Sequence, residues 1–442
     1  MQPATPTPAR GASPSPADPD RHPPSYYEAS AGAATPRPRL DGTVTADVAV
    51  LGGGLAGCSA ALELAQRGYR VALVEARHIG YGASGRSGAQ LIHGYACGQE
   101  KLERVLGEAG ARALWDMSLE GLDLVRERVT RHGIDCDLKW GQLHAAIKPR
   151  QETELRAWQE ELATRYGYGS TRYIEGAELH SLLETERYRG GLYDTHSGHC
   201  HPLRYTRGLA AAAEAAGARI FESSPVTRIE HGPTVMLHTA SGAVRASHVV
   251  LAGNAGLGGL VPELHRKIMA VGTYIIATAP LGAGRARRLI ANDMAVTDIN
   301  WVLDYFRLSA DHRLLFGGRV SYSGLDPLGT KRATRARMLR VFPQLADVDV
   351  DYAWGGYVDI TMSRAPHFGR LRPNVYFLQG FSGHGMVLTG MAGRLAAEVI
   401  AGQAERFDLF ARIPHRDFPG GLALRRPALV LAMLWYRLRD LL

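Results

Sequence analysis

The spacing of apolar residues along this chain changes period repeatedly. Residues 47–51 (Asp-Val-Ala-Val-Leu) form a short apolar run that stops at three glycines. Such a run, bounded by turn residues, predicts a buried strand. Helix formers fill 56–67, and Val-Ala-Leu-Val at 71–74 returns to the strand pattern. Strand, helix and strand in this order predict parallel pairing. Residues 100–133 and 150–166 carry apolar positions at helical spacing with charges outside, and 138–147 between them reads as a strand. A helix is predicted from His201-Pro202 to about residue 216, where Pro suits a first turn. Strands follow at 219–221, 225–229, 235–238 and 243–252, the last ending in small residues. Residues 269–278, 300–309 and 313–317 predict an antiparallel sheet. A basic helix at 329–342, a strand at 374–379, a glycine-rich turn and a helix to residue 400 complete the pattern.

Nucleotide-type pieces therefore occur three times, at 45–98, 198–258 and 356–404, separated by different material at 99–197 and 259–355. The expected class is α/β, with a Rossmann-like domain interleaved with a second, α+β substrate domain built on an antiparallel sheet. A chain of 442 residues is too long for one ordinary core, which agrees with two domains. Residues 1–40, rich in Pro, Ala, Ser and Thr, predict a leader that cannot order itself. The exception is Ser25-Tyr26-Tyr27-Glu28, whose tyrosines are expected to dock on the body. Residues 405–442 form a C-terminal segment with an amphipathic helix. Its apolar stretch 427–435 is far shorter than the roughly 20 residues of a bilayer span. It is read as packing on the body or on a second subunit, in preference to lying on a membrane surface.

The net charge of +8 is spread along the chain and forms no basic module, which argues against nucleic-acid binding. The four cysteines (Cys58, Cys97, Cys136, Cys200) include no C-x-x-C pair. They offer no metal-ligand spacing and no disulfide framework, and they suit a reducing, cytoplasmic setting. Oligomeric state stays open.

The chemistry concentrates in two glycine turns. Gly52-x-Gly54-x-x-Gly57 follows the first strand, and Glu75 stands 18 residues beyond Gly57. Gly52 permits the tight turn, Gly54 lets backbone approach a pyrophosphate, and Gly57 lets the helix pack closely on the sheet. Glu75 suits ribose hydroxyls. The order predicts a site for the ADP half of a dinucleotide. Gly380-Phe-Ser-Gly383-His384-Gly385 repeats the physics, a strand ending at a bare helix N-terminus that favours partial negative charge. Such a terminus suits the flavin edge that becomes anionic on reduction. A single dinucleotide fingerprint with a distant Gly-His-Gly turn favours one bound FAD over paired flavin and nicotinamide sites. The small-residue loop 79–90 is long enough to be functional.

These residues resemble the FAD-dependent amine and amino-acid oxidases of the D-amino-acid-oxidase-like superfamily. The likeness is carried by 47–57 with Glu75, 80–90, 225–230, 249–255 and 380–386. The loop 79–91, with Ser25-Tyr26-Tyr27, 271–277, 314–318 and the tail 435–440, looks most like the gamma-glutamylputrescine oxidase branch. The resemblance implies that Gly52, Gly54, Leu55, Ala56 and Gly57 bind the FAD pyrophosphate and that Glu75 and Ala76 meet the adenosine ribose. It implies that Val226 meets adenine, that Gly253 and Asn254 approach the phosphates, and that Ser84, Gly85, Arg86 and Gln90 line the ribityl and ring region. Gly380, Gly383, His384, Gly385 and Met386 would face the pyrimidine ring.

Sarcosine-oxidase-like members tether FAD through a cysteine where this chain has none in 358–366, so non-covalent FAD is expected. They also hold a substrate carboxylate with a lysine where this chain has Val387. The implied reaction takes an amine to an imine and then to an aldehyde and ammonia, with electrons passing to oxygen or another acceptor. It needs no acid–base triad, and no metal. Candidate substrate-wall residues are Tyr274, Trp301, Tyr305 and Arg307, each weighed against plain sheet packing, and Arg364 for a carboxylate. The alternatives are a D-amino-acid or opine dehydrogenase feeding a quinone, a non-catalytic flavin-binding protein and a nicotinamide dehydrogenase.

Overall fold

The computed structural model describes residues 22–321 and 329–419. Two sheets organise it. In the first the strand order is His367–Arg372, Val375–Gln379, Gly242–Leu251, Gly42–Leu51, Val71–Val74, Arg219–Phe221. The four central pairings are parallel, with Leu51 beside both Val74 and Leu251, and Leu251 beside Phe377. His367–Arg372 adds an antiparallel edge, and the hairpin Arg228–Glu230 with Val235–His238 pairs onto Gly242–Leu251. The helix Leu55–Gln66 is buried at every position but Gln66. It lies between the sheet and the helices Pro202–Ala215 and Gly385–Ile400, which explains its apolar residues on all faces. The last of these comes so close that a Cβ on Gly393 would sit 2.5 Å from the Ala60 nitrogen.

The second sheet runs Val350–Thr361, Ile268–Thr278, Leu314–Ser321, Tyr305–Leu308, Ala295–Asp298, Lys139–Ala146, Gly190–His199, Gln90–Leu91, with Thr171–Glu175 against Gly190–His199. It is antiparallel except where Ala295–Asp298 pairs parallel with Lys139–Ala146. One face buries Leu143, Val296, Phe306, Phe316 and Ile276 with Met338 and Phe342 of the Thr330–Val341 region. Opposed residues share a face, so Thr297, paired with both His144 and Tyr305, looks the other way with them. That face meets the loop after Val71–Val74: a Cβ on Gly88 would lie 2.5 Å from the Tyr305 ring.

Several expectations shift. The leader reading extends too far. Tyr26–Ser30 is a helix with Tyr27 fully buried, and Leu40 is also fully buried. Arg37 pairs with Glu214 and Glu222 at 2.8 and 3.4 Å. Composition missed this because the order comes from partners about 180 residues away. The 300–309 strand shortens to Tyr305–Leu308, because the Asp298 carboxyl accepts the Asn300 and Asp304 N–H groups and holds a turn there; Ala295–Asp298, just before that turn, is a strand the sequence reading did not include. Of 225–229, only the end joins a strand, Arg228–Glu230. The long helix Gln99–Arg131 breaks at Gly107, which has φ +75°. Gln90–Leu91 and all of Val350–Thr361 belong to the second sheet, so the chain crosses before residue 98 and after residue 361. The tail stretch 427–435 lies outside the described residues, and among those described no helix is long and apolar enough to cross a membrane. All four cysteines are free.

Candidate functional site

The parallel strands deliver their carboxyl ends to one edge, where ligands of open α/β sheets bind. Gly52, at φ +114°, turns off Leu51, and a Cβ there would lie 2.8 Å from the Ala252 carbonyl. On Gly57 a Cβ would lie 1.9 Å from the Gly52 oxygen. Gly54 caps the helix that Leu55 and Ala56 begin, and only Ser84 approaches its absent Cβ, the Oγ at 2.9 Å. Ser84 Oγ also accepts the Leu55 N–H at 2.9 Å. The two Glu75 oxygens accept the Gly53 and Arg77 N–H groups at 2.6 and 2.8 Å. Burial pushes the Glu75 carboxyl above its ordinary range against those two donors. Each oxygen keeps a second lone pair for a ribose hydroxyl. Ala76 follows, and Val226 stands two residues past Ser224, whose N–H donates to the Glu75 carbonyl.

Loop 79–91 runs from this hollow to the next. The Gly80 N–H donates to the Gly53 carbonyl, and Gly85 turns tightly over the Gly80 oxygen. The Arg86 guanidinium covers the Tyr81 ring at 4.8 Å, while the Arg86 carbonyl accepts the Trp354 indole N–H at 3.1 Å. Ser87 Oγ reaches Met386 Sδ at 3.3 Å. Gln90 joins Thr297 Oγ1, and Thr297 in turn accepts from Gln142 at 3.2 Å.

The second hollow is tied to the first by Asn254, whose Oδ1 accepts the Gly380 N–H at 3.2 Å while Gly253 abuts Gly52. Asn254, Gly380 and Gly383 all have positive φ. A Cβ on Gly383 would meet nothing within 4 Å, so the turn opens onto space. His384 caps the helix Gly385–Ile400. Its Nδ1 is buried without a hydrogen-bond partner among the described residues. Burial, then the charges of His144, His93 and Arg364, hold its imidazole at about 4. Asp359 bridges the hollow, its Oδ2 accepting the Ala255 N–H at 2.6 Å, and its carboxyl is pushed up to about 7 by burial. The residues present fit an extended dinucleotide. A glycine cradle and an acid stand at one end, an unpartnered imidazole stands at the other, and one loop touches both.

The substrate candidates separate. Tyr305 faces the loop, and its strand partner Thr297, which was not among the candidates, faces it too. Arg364, at φ +63°, stands near enough to act on His384. Tyr274 is buried over Gly355. Trp301 is half exposed in the 299–304 turn. Arg307 takes the packing reading: it is 3 % exposed, donates to the Gly88, Cys200 and Leu308 carbonyls and to the Tyr27 hydroxyl, and faces His199 Nδ1 at 3.5 Å. All its donors serve packing. Sequence reasoning missed His93, His144, Gln142, Asp194, Thr297 and Asp359. For all but His93, which lies beyond the end of Gln90–Leu91, the signal was polar residues at alternating positions of apolar strands.

Residues 47–399 match the family model described as DAO, FAD dependent oxidoreductase. The chain is 44% identical to gamma-glutamylputrescine oxidoreductase of Escherichia coli over 420 residues, 95% of this chain and 98% of that protein. It is 42% identical to a "Probable oxidoreductase OrdL" of Haemophilus influenzae, covering 94% and 97%. The fold matches crystalline glycine oxidase from Geobacillus kaustophilus with a TM-score of 0.69 at 23% identity, covering 83% of this chain and 98% of that one.

Proposed function

We propose, for a chain that belongs to the FAD-dependent oxidoreductase (DAO) family, that its substrate is the primary amine end of gamma-glutamylputrescine or a close analogue. The protein is an FAD-dependent oxidoreductase acting on CH–NH2 donors. The substrate reading is supported by the 44% identity to gamma-glutamylputrescine oxidoreductase over 95% of this chain; the cofactor's place is supported by loop 79–91, which meets Gly54 through Ser84 and Met386 through Ser87. One extended cofactor can therefore lie along it.

When bound, FAD supplies the two-electron acceptor for the substrate's carbon–nitrogen bond. Gly52, Gly54, Leu55, Ala56 and Gly57 hold its pyrophosphate, Glu75 and Ala76 its ribose, and Val226 its adenine. Gly253, Asn254, Ser84, Gly85, Arg86 and Gln90 line the middle. Gly380, Gly383, His384, Gly385 and Met386 enclose the pyrimidine edge, where the helix N-terminus favours negative charge. Tyr305 and Thr297 wall the substrate, and Arg364 meets the glutamyl carboxylate. The cofactor is held without a covalent bond, and oxygen is the acceptor.

An absorbance spectrum followed by anaerobic titration tests this. Gamma-glutamylputrescine is expected to bleach bound flavin, with sarcosine and D-amino acids ineffective. Acid precipitation is expected to release all the FAD, and air to yield one peroxide per aldehyde. Failure of every amine to bleach the flavin removes the proposal. Aldehyde formed with a quinone but not with oxygen replaces the acceptor.

A further inference from the structure

The face of the second sheet that meets the cofactor loop carries one row of opposed residues. His144 stands beside Thr297, Thr297 beside Tyr305, and Tyr305 beside Gly317. Opposed side chains in a sheet are about 5 Å apart, so the row forms one wall. Two contacts set this wall against the cofactor loop. Gln90 accepts the Thr297 hydroxyl and donates to the Val296 carbonyl at 3.0 Å. A Cβ on Gly88 would strike the Tyr305 ring. At the far end of the row, His144 is the ionisable neighbour that acts most strongly on His384. His384 follows Gly383, whose turn opens onto space. The row therefore faces the second hollow from the opposite side.

His144 lies deep and yet is open. Burial, then the charge of His93, holds its imidazole at about 4, against a smaller upward pull from Asp194. Trp158 stands edge-on to its ring at 5.1 Å. Still, the residue is only half-buried, and among the described residues it makes no hydrogen bond. Neither of its nitrogens is sealed, in contrast to Nδ1 of His93 and Nδ1 of His384. A deep polar ring that bonds to nothing and is not closed off lines a cavity, and its nitrogens await a partner there.

The reacting nitrogen of a CH–NH2 donor carries N–H groups both as amine and as ammonium, so it needs an acceptor wherever it rests. It must rest over the ring of the bound flavin, between the His384 turn and the wall, because the hydride leaves from the adjoining carbon. The neighbouring acceptors are engaged or enclosed. Thr297 Oγ1 already serves Gln90 and Gln142. Asp194 is 0 % exposed, with one oxygen on the Tyr168 hydroxyl, and Asp359 is 3 % exposed and holds the Ala255 N–H. Tyr305 is pressed between Gly88 and Gly317. Arg86 and Arg364 have no acceptor to offer. A neutral imidazole has one lone pair in the ring plane, and His144 has it free.

Resting on the amine-oxidising reading above, we propose that His144 is a substrate-binding residue whose open ring nitrogen accepts a hydrogen bond from the reacting nitrogen of the substrate. The proton stays on the substrate, and the bond holds that nitrogen against the wall. His144 is thus a specificity residue for the amine end, as Arg364 is for the carboxylate end.

The test is anaerobic flavin reduction by gamma-glutamylputrescine in H144L and H144Q holoenzymes, with inhibition by the gamma-glutamyl amide of butylamine, which lacks the reacting nitrogen. H144L is expected to raise the half-saturating substrate concentration about tenfold, the loss of one hydrogen bond. Its limiting rate should stay within about threefold, because the bond is made equally before and during hydride loss. H144Q, which keeps an acceptor oxygen, should restore half-saturation to within about threefold of wild type. The butylamide should inhibit all three proteins equally. Should H144L fail to load FAD, H144A takes its place in the same comparison. Unchanged half-saturation in H144L overturns the assignment, and so does an H144Q as impaired as H144L. Equal weakening of the butylamide and the substrate overturns it too, by placing His144 against another part of the ligand. A wild type that no amine reduces refutes the amine reading itself. A reducible wild type that H144L matches refutes only the role of His144.

Discussion

At the scale of single residues, the two fingerprint glycines make opposite demands. Alanine inside a helix gains up to about 1 kcal/mol over glycine. At Gly57 that gain meets a Cβ placed 1.9 Å from the Gly52 carbonyl oxygen, which belongs to a turn fixed by the Gly52 N–H bond to Val74. Overpacking against backbone costs about 1–3 kcal/mol or more, so the clash wins. G57A should lower the melting temperature and leave the purified protein short of FAD. G54A meets only the movable Ser84 hydroxyl, so it should fold normally and lose affinity for FAD alone. Equal melting temperatures for G57A and wild type would refute the argument. Arg364 invites a second comparison. R364A should raise KM for gamma-glutamylputrescine about tenfold, the order of one exposed charge-assisted contact, and leave the slower oxidation of putrescine unchanged. An equal rise for both removes Arg364 from carboxylate recognition. Residues of these kinds differ in legibility. Gly52, Gly57 and Glu75 are readable because one turn fixes their spacing. Arg307 and Asp194 are not, because which face a strand residue presents depends on register with strands far along the chain.

At the scale of elements, the helix Tyr26–Ser30 shows how a short segment can close a site it does not line. Five residues cannot form a stable helix alone. Its stability comes from Tyr27, edge-on to Trp354 at 5.2 Å and to His201 at 5.0 Å, with its hydroxyl accepting from Arg307 at 3.1 Å. Trp354 in turn donates to the Arg86 carbonyl in the cofactor loop. Y27F should cost about 1–3 kcal/mol, the loss of one partner to a buried charged donor, with FAD retained. Y27A should cost about 3–5 kcal/mol and weaken FAD binding, because the cavity undermines Trp354. If Y27A binds FAD as tightly as wild type, the helix does not support the loop. The tyrosine pair was legible as the apolar exception in a polar leader. The strand Gly190–His199 was not, because Gly, Thr, Ser and His interrupt its apolar positions, and its order comes from partners on both sides. Parallel pairing of Ala295–Asp298 with Lys139–Ala146 was equally hidden, since about 150 residues separate them.

At the scale of the whole molecule, burial of titratable groups sets how stability follows pH. Burial holds His22, His144, His384 and His415 at about 4, His199 and His201 at about 3 and His367 at about 2. Unfolded, each binds a proton near its ordinary 6.5. Below that value the unfolded chain takes up protons that the folded chain refuses, so stability falls on acidification. Asp359 and Asp298 act in the opposite sense. Burial raises both to about 7 from 3.8, so their penalty is complete above pH 7 and is relieved as pH falls toward 4. From pH 8 to about 6.5 the two acids offset roughly half of what the seven unfolded imidazoles take up, so stability should already fall slightly. Below about 6.5 seven imidazoles outweigh two carboxyls, and stability should fall steeply. The melting temperature of the FAD-loaded enzyme should therefore be highest on the alkaline side of about pH 7, fall gently toward about pH 6.5 and fall steeply below it. D359N should raise it on the alkaline side and leave the acid limb unchanged. A melting temperature that climbs steadily down to about pH 5 would mean that these histidines are protonated in the folded protein. The neutral imidazoles assigned to His144 and His384 beside the cofactor slot would then be wrong.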